Sequence, residues 1–525
     1  MVHISANPSS PSAPPSTSPP TSTAPTVSAV PSTPPPKKRG ISRATAAIIV
    51  VVVLIVAGVG GYLAYEKYYV TSSSTTPTIT VGMPLPLNSI IGVNMLQSAQ
   101  MAVNQINAAG GVAVNGTHYK YAIDTYDTEE ADPSIPVANG ISGVTYLITQ
   151  DHVNFLMGGY RSDVVLAELP LVASYKELYI TFGADTGISS YVTNNYSSGG
   201  KYIFNGFLNT TNQNAQYGAL PVFLLTAYHE YQLTGKGFPT NITNIAVLGE
   251  QAAWTQATIG GGGSSSPLWP ILKAVGFNPV YINYFPLSPP GGSYGPLMTT
   301  LAGDGVQSIY MLAAGTETPG LIEDYSAANW ATDSATGGHQ PLLFGADVMS
   351  EFNGTTSADN YYKLTNGACA GEMTFGWGPT LPFDINPTSI PFYNQFEANY
   401  SVNPMFGDGF VYSAFYYLAA AIEKANSLNP NAIIPYLDAT DYTGPAGIIQ
   451  FSSSHGLVIP LAPYPTVPAF GMQWHNNGEL YPLWSSLWTA PSFPAAATFT
   501  AGSSTYFENY QTPTGVNVGG FTVAL

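Results

Sequence analysis

The residues best suited to bind a small charged molecule lie around one arginine. Arg161 is the only arginine after residue 70 of the 525-residue chain, and it comes shortly after a Gly-Gly pair. Ser162 and Asp163 follow it at the start of a predicted helix. A guanidinium, a hydroxyl and the unpaired N–H groups of a helix N-terminus together suit a carboxylate. The alternative is that Arg161 pairs with Glu168 or another carboxylate, and that Ser162 only caps the helix.

Composition argues against most other chemistry. The chain has 13 Lys and Arg against 30 Asp and Glu, a net charge of −17, so it offers no basic surface to nucleic acid. The single cysteine, Cys369, cannot form an intrachain disulfide or a zinc-thiolate centre. Nucleophile-elbow, phosphate-loop and zinc-protease motifs are absent, and the seven histidines are scattered. We therefore expect no enzyme activity, metal or cofactor, and we interpret the acidic run from Asp124 to Asp132 as a solvated loop.

The elements that must position the Arg161 region form two series of alternating strands and helices. Strands are predicted at 78–85, 119–126, 153–157 and 179–182, and again at 243–248, 280–285, 308–313 and 342–344. Helices are predicted at 93–109, 133–150, 163–175, 268–275 and 320–329. This alternation is typical of an α/β fold with parallel sheets flanked by helices. Because ligands bind beyond the carboxyl ends of such strands, two series predict two lobes facing a cleft.

Several motifs indicate a family. ITVGMPLPL at 79–87 and AQMAVNQINAAGG at 99–111 resemble the opening of type I extracellular solute-binding proteins of the branched-chain amino acid (Leu/Ile/Val) ABC-importer class. The similarity continues in DTYD at 124–127 and VNFLMGG at 153–159, and it covers about residues 78–482. The resemblance implies the two-lobed type I periplasmic-binding-protein fold, with three crossovers, closing on a small ligand that is passed to a membrane permease.

The resemblance also implies ligand contacts in the first lobe. Ser162 matches the family's serine at the ligand carboxylate, and Ala184 and Thr186 match the backbone and threonine that complete the same half-site. Asp185 is a candidate for an ammonium group or a turn cap. Asn88 is a further candidate, because Asn-Ser stands here where the family has Ser-Gly after its first strand.

In the second lobe, the resemblance implies an acidic and an aromatic contact. Asp347 follows a strand where relatives place an acid against the ligand's ammonium, and a strand-end turn is its alternative. Trp254 matches the position of an aromatic residue stacked on the ligand, and burial in the core is its alternative. Thr316 and Glu317, which follow the strand at 308–313, are added as candidates.

The N-terminal part of the chain predicts export. Residues 1–43 form a disordered, Pro/Ser/Thr-rich segment with a basic flank, and residues 44–65 form an uncharged run about 33 Å long as a helix, enough to span a bilayer. The basic flank places the N-terminus in the cytoplasm and the rest outside. The Arg-Gly pair at 39–40 also resembles archaeal pilin-like signals, so this helix is either a retained span or part of a signal that is cleaved after Gly40.

The exported part divides as follows. Residues 66–77 are a linker, 78–205 with 376–443 form lobe 1, 206–375 with 444–482 form lobe 2, and 483–525 form a C-terminal extension. Glycosylation sequons, all beyond the span, lie at Asn115, Asn195, Asn209, Asn241, Asn353 and Asn399. Few charges and many Asn, Ser, Thr and Tyr residues predict a surface suited to an acidic medium, such as that of an acidophilic archaeon.

These observations predict a function. We expect a single-pass, membrane-anchored extracellular receptor that binds a small zwitterion, such as an amino acid or amide-like relative. Its partners would be ABC permease subunits with their ATPases, and nucleic acid is excluded. The alternative is a ligand-sensing ectodomain of the same fold.

Overall fold

The computed structural model describes residues 76–132, 134–209, 241–330, 340–356, 360–458, 469–485, 504–511 and 517–524, together with Leu224, Leu225, Tyr228 and Gln232. The predicted segments 1–43 and 44–65 and most of the linker lie outside these residues. Within the described part of the chain, no helix is both long and apolar enough to cross a membrane. Residues from Thr76 onward belong to one unit.

The first sheet is built from the N-terminal βα series. Its strands are β1 (Thr78–Leu85), β2 (Val112–Val114), β3 (Thr117–Asp127), β4 (Phe155–Gly158), β5 (Tyr179–Thr181) and β6 (Ile203–Asn205), in the order β2-β3-β1-β4-β5-β6. All pairs are parallel except the β2–β3 hairpin. The helices are α1 (Ile90–Ala108), α2 (Ala138–Thr149), α3 (Ser162–Tyr175) and α4 (Thr186–Asn195). The parallel α/β arrangement predicted for this part is confirmed.

The second series has the same construction. It contains β7 (Asn244–Glu250), α5 (Gln256–Ile259), α6 (Leu268–Val275), β8 (Asn278–Phe285), α7 (Gly295–Gly303), β9 (Ser308–Ala313), α8 (Thr318–Ala327), β10 (Leu342–Asp347), α9 (Tyr361–Leu364) and β11 (Met373–Trp377). The five strands pair in parallel. Except for β11, they correspond to strands predicted from apolar runs.

After β11 the chain crosses back to the first lobe, and it later returns to the second sheet. Helices α10 (Ser389–Tyr400), α11 (Asp408–Ala425) and α12 (Pro430–Asp438) follow, and α11 packs against α1. After the hairpin β12 (Tyr442–Gly444) and β13 (Gly447–Ile449), strand β14 (Ala469–Trp474) pairs antiparallel with β11, and β15 (Leu480–Ser485) pairs antiparallel with β14. The second sheet thus has the order β15-β14-β11-β10-β9-β7-β8. Two lobes result, with three crossings between them.

The C-terminal extension contains strands that sequence analysis did not predict. β16 (Ser504–Gln511) and β17 (Asn517–Ala524) pair antiparallel as a separate two-stranded sheet.

Local sequence explains where helices begin. Ser89 caps α1, because its Oγ accepts a hydrogen bond from the N–H of Ile91 at 3.3 Å. The helix predicted from residue 133 begins at Ala138 instead. The Asp132 carboxylate accepts the N–H of Ser134 at 2.8 Å in a turn, so it does not cap a helix there. That turn holds backbone carbonyls toward Arg161, as described below.

Candidate ligand-binding site

A cavity lies where the carboxyl ends of strands from both sheets meet. Residues after β4, β5, β7, β9 and β10 line it, and it encloses about 720 Å³ when the space at its mouth is counted. Parallel sheets leave their strand-end loops at one edge, so this location follows from the fold.

Aromatic side chains form much of the wall. They come from both lobes and from the crossings, and they are Tyr160, Phe182, Phe207, Trp254, Phe375, Trp377 and Phe406. Phe207 contacts Phe406 and Trp377 edge to face, with ring centroids 5.1 and 6.2 Å apart. Such contacts fix ring orientations, so the cavity has an apolar surface of defined shape.

Arg161 reaches the cavity, but its hydrogen-bonding capacity is used within the protein. Its Nε and one terminal nitrogen donate to the Asp163 carboxylate at 2.7 and 3.2 Å. The remaining N–H groups point at the carbonyl oxygens of Glu130, Asp132 and Ile135, 3.2 to 3.3 Å away. A guanidinium has five N–H donors, so this set accounts for all of them. Arg161 therefore fastens the turn after β3 to the start of α3.

Ser162 and Ala184 also line the cavity. The buried Ser162 hydroxyl accepts the N–H groups of Ala184 and Asp185 at 3.1 and 3.2 Å. It therefore joins the start of α3 to the loop after β5. The Asp185 carboxylate accepts the N–H of Gly187 and caps α4, which begins at Thr186.

Four residues predicted in the first lobe lie outside the lining. They are Asp163, Asp185, Thr186 and Asn88. Asn88 is exposed, and its N–H faces the Asp127 carboxylate at 3.4 Å.

In the second lobe, Trp254 and Glu317 line the cavity beside Glu250. Glu250 accepts hydrogen bonds from the Trp254 indole and from the N–H groups of Ala314 and Gly315, the last two at 2.7 and 3.2 Å. Glu317 lies beside it, and burial together with the charge of Glu250 raises the pKa of Glu317 to about 10. Since three donors stabilise the ionised form of Glu250, the pair holds one proton on Glu317 and one negative charge on Glu250.

Asp347 and Thr316 do not line the cavity. Ala346 and Val348 do, and neighbouring residues at the end of a strand point to opposite faces. The buried Asp347 carboxylate accepts the N–H of Met349 at 3.0 Å and the hydroxyl of Tyr361 at 2.6 Å. Burial raises its pKa to about 6.

Two hydrogen bonds cross the cleft. The Tyr160 hydroxyl, from the first lobe, donates to the carbonyl oxygen of Ala314 in the second. The Thr316 hydroxyl donates in the other direction, to the carbonyl oxygen of Ala131 at 3.2 Å. The lobes are therefore in contact around the cavity.

Sequence analysis missed three polar residues of the lining. Glu130 belongs to the acidic run interpreted as solvated, but it is 1% exposed, and one of its oxygens accepts the N–H of Tyr160 at 2.8 Å. Glu351 is equally buried and accepts the N–H of Phe406 at 2.8 Å. Burial raises the pKa of both glutamates well above its usual range. The position of Glu250 at the end of β7 was a usable signal, because strand ends face the cleft.

Two α/β lobes, crossed three times by the chain and meeting at a cavity between strand ends, define a bilobal solute-binding protein. The sequence model of the periplasmic binding protein family matches residues 78–460. The chain belongs to this family, and the resemblance identified from its motifs is confirmed.

Similar solved structures agree with the fold. The branched-chain amino acid transporter substrate-binding protein LivJ from Streptococcus pneumoniae, in complex with isoleucine, is 17% identical with a TM-score of 0.51, over 77% of this chain and 97% of that one. A solute-binding protein from R. palustris in complex with benzoate is 15% identical with a TM-score of 0.55, over 80% and 98%. The leucine-binding protein LivK from Thermotoga maritima is 14% identical with a TM-score of 0.51, over 78% and 98%.

Proposed function

We propose that this protein is the extracellular receptor of an ABC importer. It binds a small solute that carries an amino group, a zwitterion such as an amino acid or an amide-like relative, and lobe closure holds the solute for transfer to the permease. The protein acts by binding, without chemical conversion of the solute. The residues that we assign to the ligand are Ser162, Ala184, Trp254 and Glu317.

The cavity carries this proposal. It joins an apolar aromatic wall to a small set of polar groups, the combination typical of small-molecule sites. The hydrogen bonds between Tyr160 and Ala314 and between Thr316 and Ala131 supply contacts that exist only when the lobes meet. A binding protein needs such contacts, since its permease must distinguish closed from open receptors.

We further propose that residues 44–65 anchor the protein in the membrane and that the lobes lie outside the cell. Export agrees with the sequons, of which Asn115, Asn241 and Asn399 are exposed and accessible to a glycosyltransferase. Mass determination of the mature protein tests export, because attached glycans add mass, and it also shows whether the chain is cleaved after Gly40.

An acidic external medium is part of the same proposal. Within the described residues, seven carboxyl groups are buried and have a raised pKa, and they are Glu130, Glu168, Glu250, Asp347, Glu351, Glu372 and Asp408. Protonated carboxyl groups are cheaper to bury than ionised ones. An archaeal acidophile is a source that fits this chemistry.

Titration calorimetry on the full chain in mild detergent tests the receptor function. A panel of amino acids, their amides and matched aromatic acids should contain at least one ligand with a dissociation constant in the micromolar range or below. If a folded sample binds no member of the panel, the proposed ligand class is wrong.

A further inference from the structure

The lining of the cavity is unbalanced in charge. Four glutamates contribute to it, and they are Glu130, Glu250, Glu317 and Glu351. Among the described lining residues the only basic one is Arg161, whose charge is paired with Asp163 at 2.7 Å. The cavity therefore has no uncompensated positive charge to offer a ligand.

The groups that would receive a ligand carboxylate are engaged elsewhere. All five N–H groups of Arg161 have partners within the protein. The Ser162 oxygen accepts two backbone N–H groups, so only its hydroxyl hydrogen is left to donate. Glu130 lies on the same side of the cavity. Its buried carboxyl group offers a ligand carboxylate no positive charge, and one hydrogen bond from Ser162 does not offset the hydration that a buried carboxylate loses.

By contrast, buried oxygen atoms around the cavity lack donors. The second carboxyl oxygen of Glu130 is buried and accepts no hydrogen bond in the structure. Both carboxyl oxygens of Glu317 are buried as well, and their neighbour is the Glu250 carboxyl rather than an N–H donor. A buried acceptor without a partner is costly, so each of these atoms favours a ligand that brings N–H groups.

The aromatic wall suits the same kind of ligand. Trp254, Tyr160 and Phe207 present rings to the cavity, and the faces of such rings attract cations. An ammonium group next to the Glu250–Glu317 pair, which carries one negative charge, and an apolar body against these rings would match both the charge and the surface of the cavity.

We infer that the solute is an organic amine without a free carboxylate, such as an arylalkylamine, a branched alkylamine or an amino acid amide. This inference rests on the proposed function, because it takes the cavity as the ligand site. It narrows the ligand from solutes with an amino group in general to those whose carboxyl group is absent or blocked.

Matched ligand series test the inference by titration calorimetry on the full chain at pH 7. One series compares phenethylamine, phenylalaninamide, phenylalanine and 3-phenylpropanoate, and another compares benzylamine with benzoate. We expect each amine or amide to bind at least tenfold more tightly than the matched amino acid and a hundredfold more tightly than the matched carboxylate. An amino acid or carboxylate that binds tenfold more tightly than its amine overturns the inference and leaves the receptor function standing. A folded chain that binds none of these compounds contradicts both.

Variants identify the carboxyl groups that contact the ammonium group. Glu317→Gln and Glu130→Gln should each weaken phenethylamine binding about tenfold while leaving binding of its neutral analogue 2-phenylethanol within twofold. A purely structural role would weaken both ligands equally, and that result counts against the inference. Glu397→Gln is the matched control, because Glu397 is exposed on α10, outside the cavity lining, and the substitution makes the same chemical change. It should change neither affinity.

Discussion

Glu168 gives the sharpest prediction on stability, because it is fully buried against Tyr179. The Tyr179 hydroxyl donates to one of its oxygens at 2.8 Å, and the other oxygen has no donor. Burial raises the pKa of Glu168 from the usual 4.5 to about 8. The perturbation that we consider is Glu168→Gln, which keeps the shape and an acceptor for Tyr179 but cannot ionise.

The direction of the pH effect on stability follows from the state, folded or unfolded, in which Glu168 keeps its proton. The folded state keeps the proton on Glu168 up to about pH 8, whereas the unfolded chain releases it above about 4.5. The contribution of this residue to stability is therefore fully present below pH 4.5 and is lost as pH rises toward 8. At pH 7 the loss amounts to (7 − 4.5) × 1.36, or ~3 kcal/mol. The Gln variant does not suffer this loss.

The assay is thermal unfolding of both proteins at pH 4, 5, 6 and 7. The stability of Glu168→Gln relative to the wild type should rise by ~3 kcal/mol from pH 4 to pH 7, a shift in relative Tm of ~3 °C for a unit of this size. A packing change caused by the substitution shifts the stability difference by the same amount at every pH. It therefore does not affect the trend with pH. Glu397→Gln, at an exposed site, should show no such trend. A stability difference for Glu168→Gln that stays constant with pH would contradict a raised pKa of Glu168 in the folded protein.

Three further predictions concern the site. Tyr160→Phe removes the hydrogen bond to Ala314, which is worth about 1 kcal/mol, so ligand affinity should fall about fivefold. Small-angle scattering should detect a larger fraction of open molecules. Unchanged affinity would contradict a role of this bond in lobe closure. Arg161→Lys should lower the free energy of unfolding by roughly 2–3 kcal/mol, because a lysine cannot replace the five N–H donors of the guanidinium. Ligand affinity should change less than threefold. A hundredfold loss of affinity at constant Tm would instead indicate that Arg161 contacts the ligand. Asp347→Asn should lower Tm, since the carboxylate oxygens accept from the Met349 N–H and the Tyr361 hydroxyl and an amide keeps only one of these two acceptors, but titration calorimetry should find the affinity unchanged.

The strands and helices were predictable because they bury apolar faces with regular spacing. β1 and β9 lie where the apolar runs at 78–85 and 308–313 placed them. β14 and β15 were not predicted, because they join the second sheet from far along the chain and their position depends on β11. The predicted start of α2 was wrong, because the chain at Asp132 forms a turn whose carbonyl oxygen accepts a hydrogen bond from Arg161, a partner that is remote in sequence.

The site was only partly predictable for a related reason. The sequence shows which residues follow strands. Of the residues predicted for the site on that basis, those that line the cavity are Arg161, Ser162, Ala184, Trp254 and Glu317. The sequence does not show which N–H and O–H donors already have hydrogen-bond partners within the protein. The five bonds of Arg161 join a turn and a helix, and one-dimensional spacing does not show them. Glu130 was taken as solvated for the same reason, since an acidic run alone does not distinguish its buried member from its exposed ones.

The three crossings have a consequence for how the protein matures. The first sheet ends at Asn205, but α11, which covers α1, lies some 200 residues later, and the second sheet gains its last strands only after residue 469. Neither lobe is continuous in sequence, so neither is complete until nearly the whole chain has emerged. Contacts this distant in sequence form slowly. The chain must therefore stay unaggregated until its last third arrives, and both lobes should gain protection from hydrogen exchange together rather than in order of synthesis.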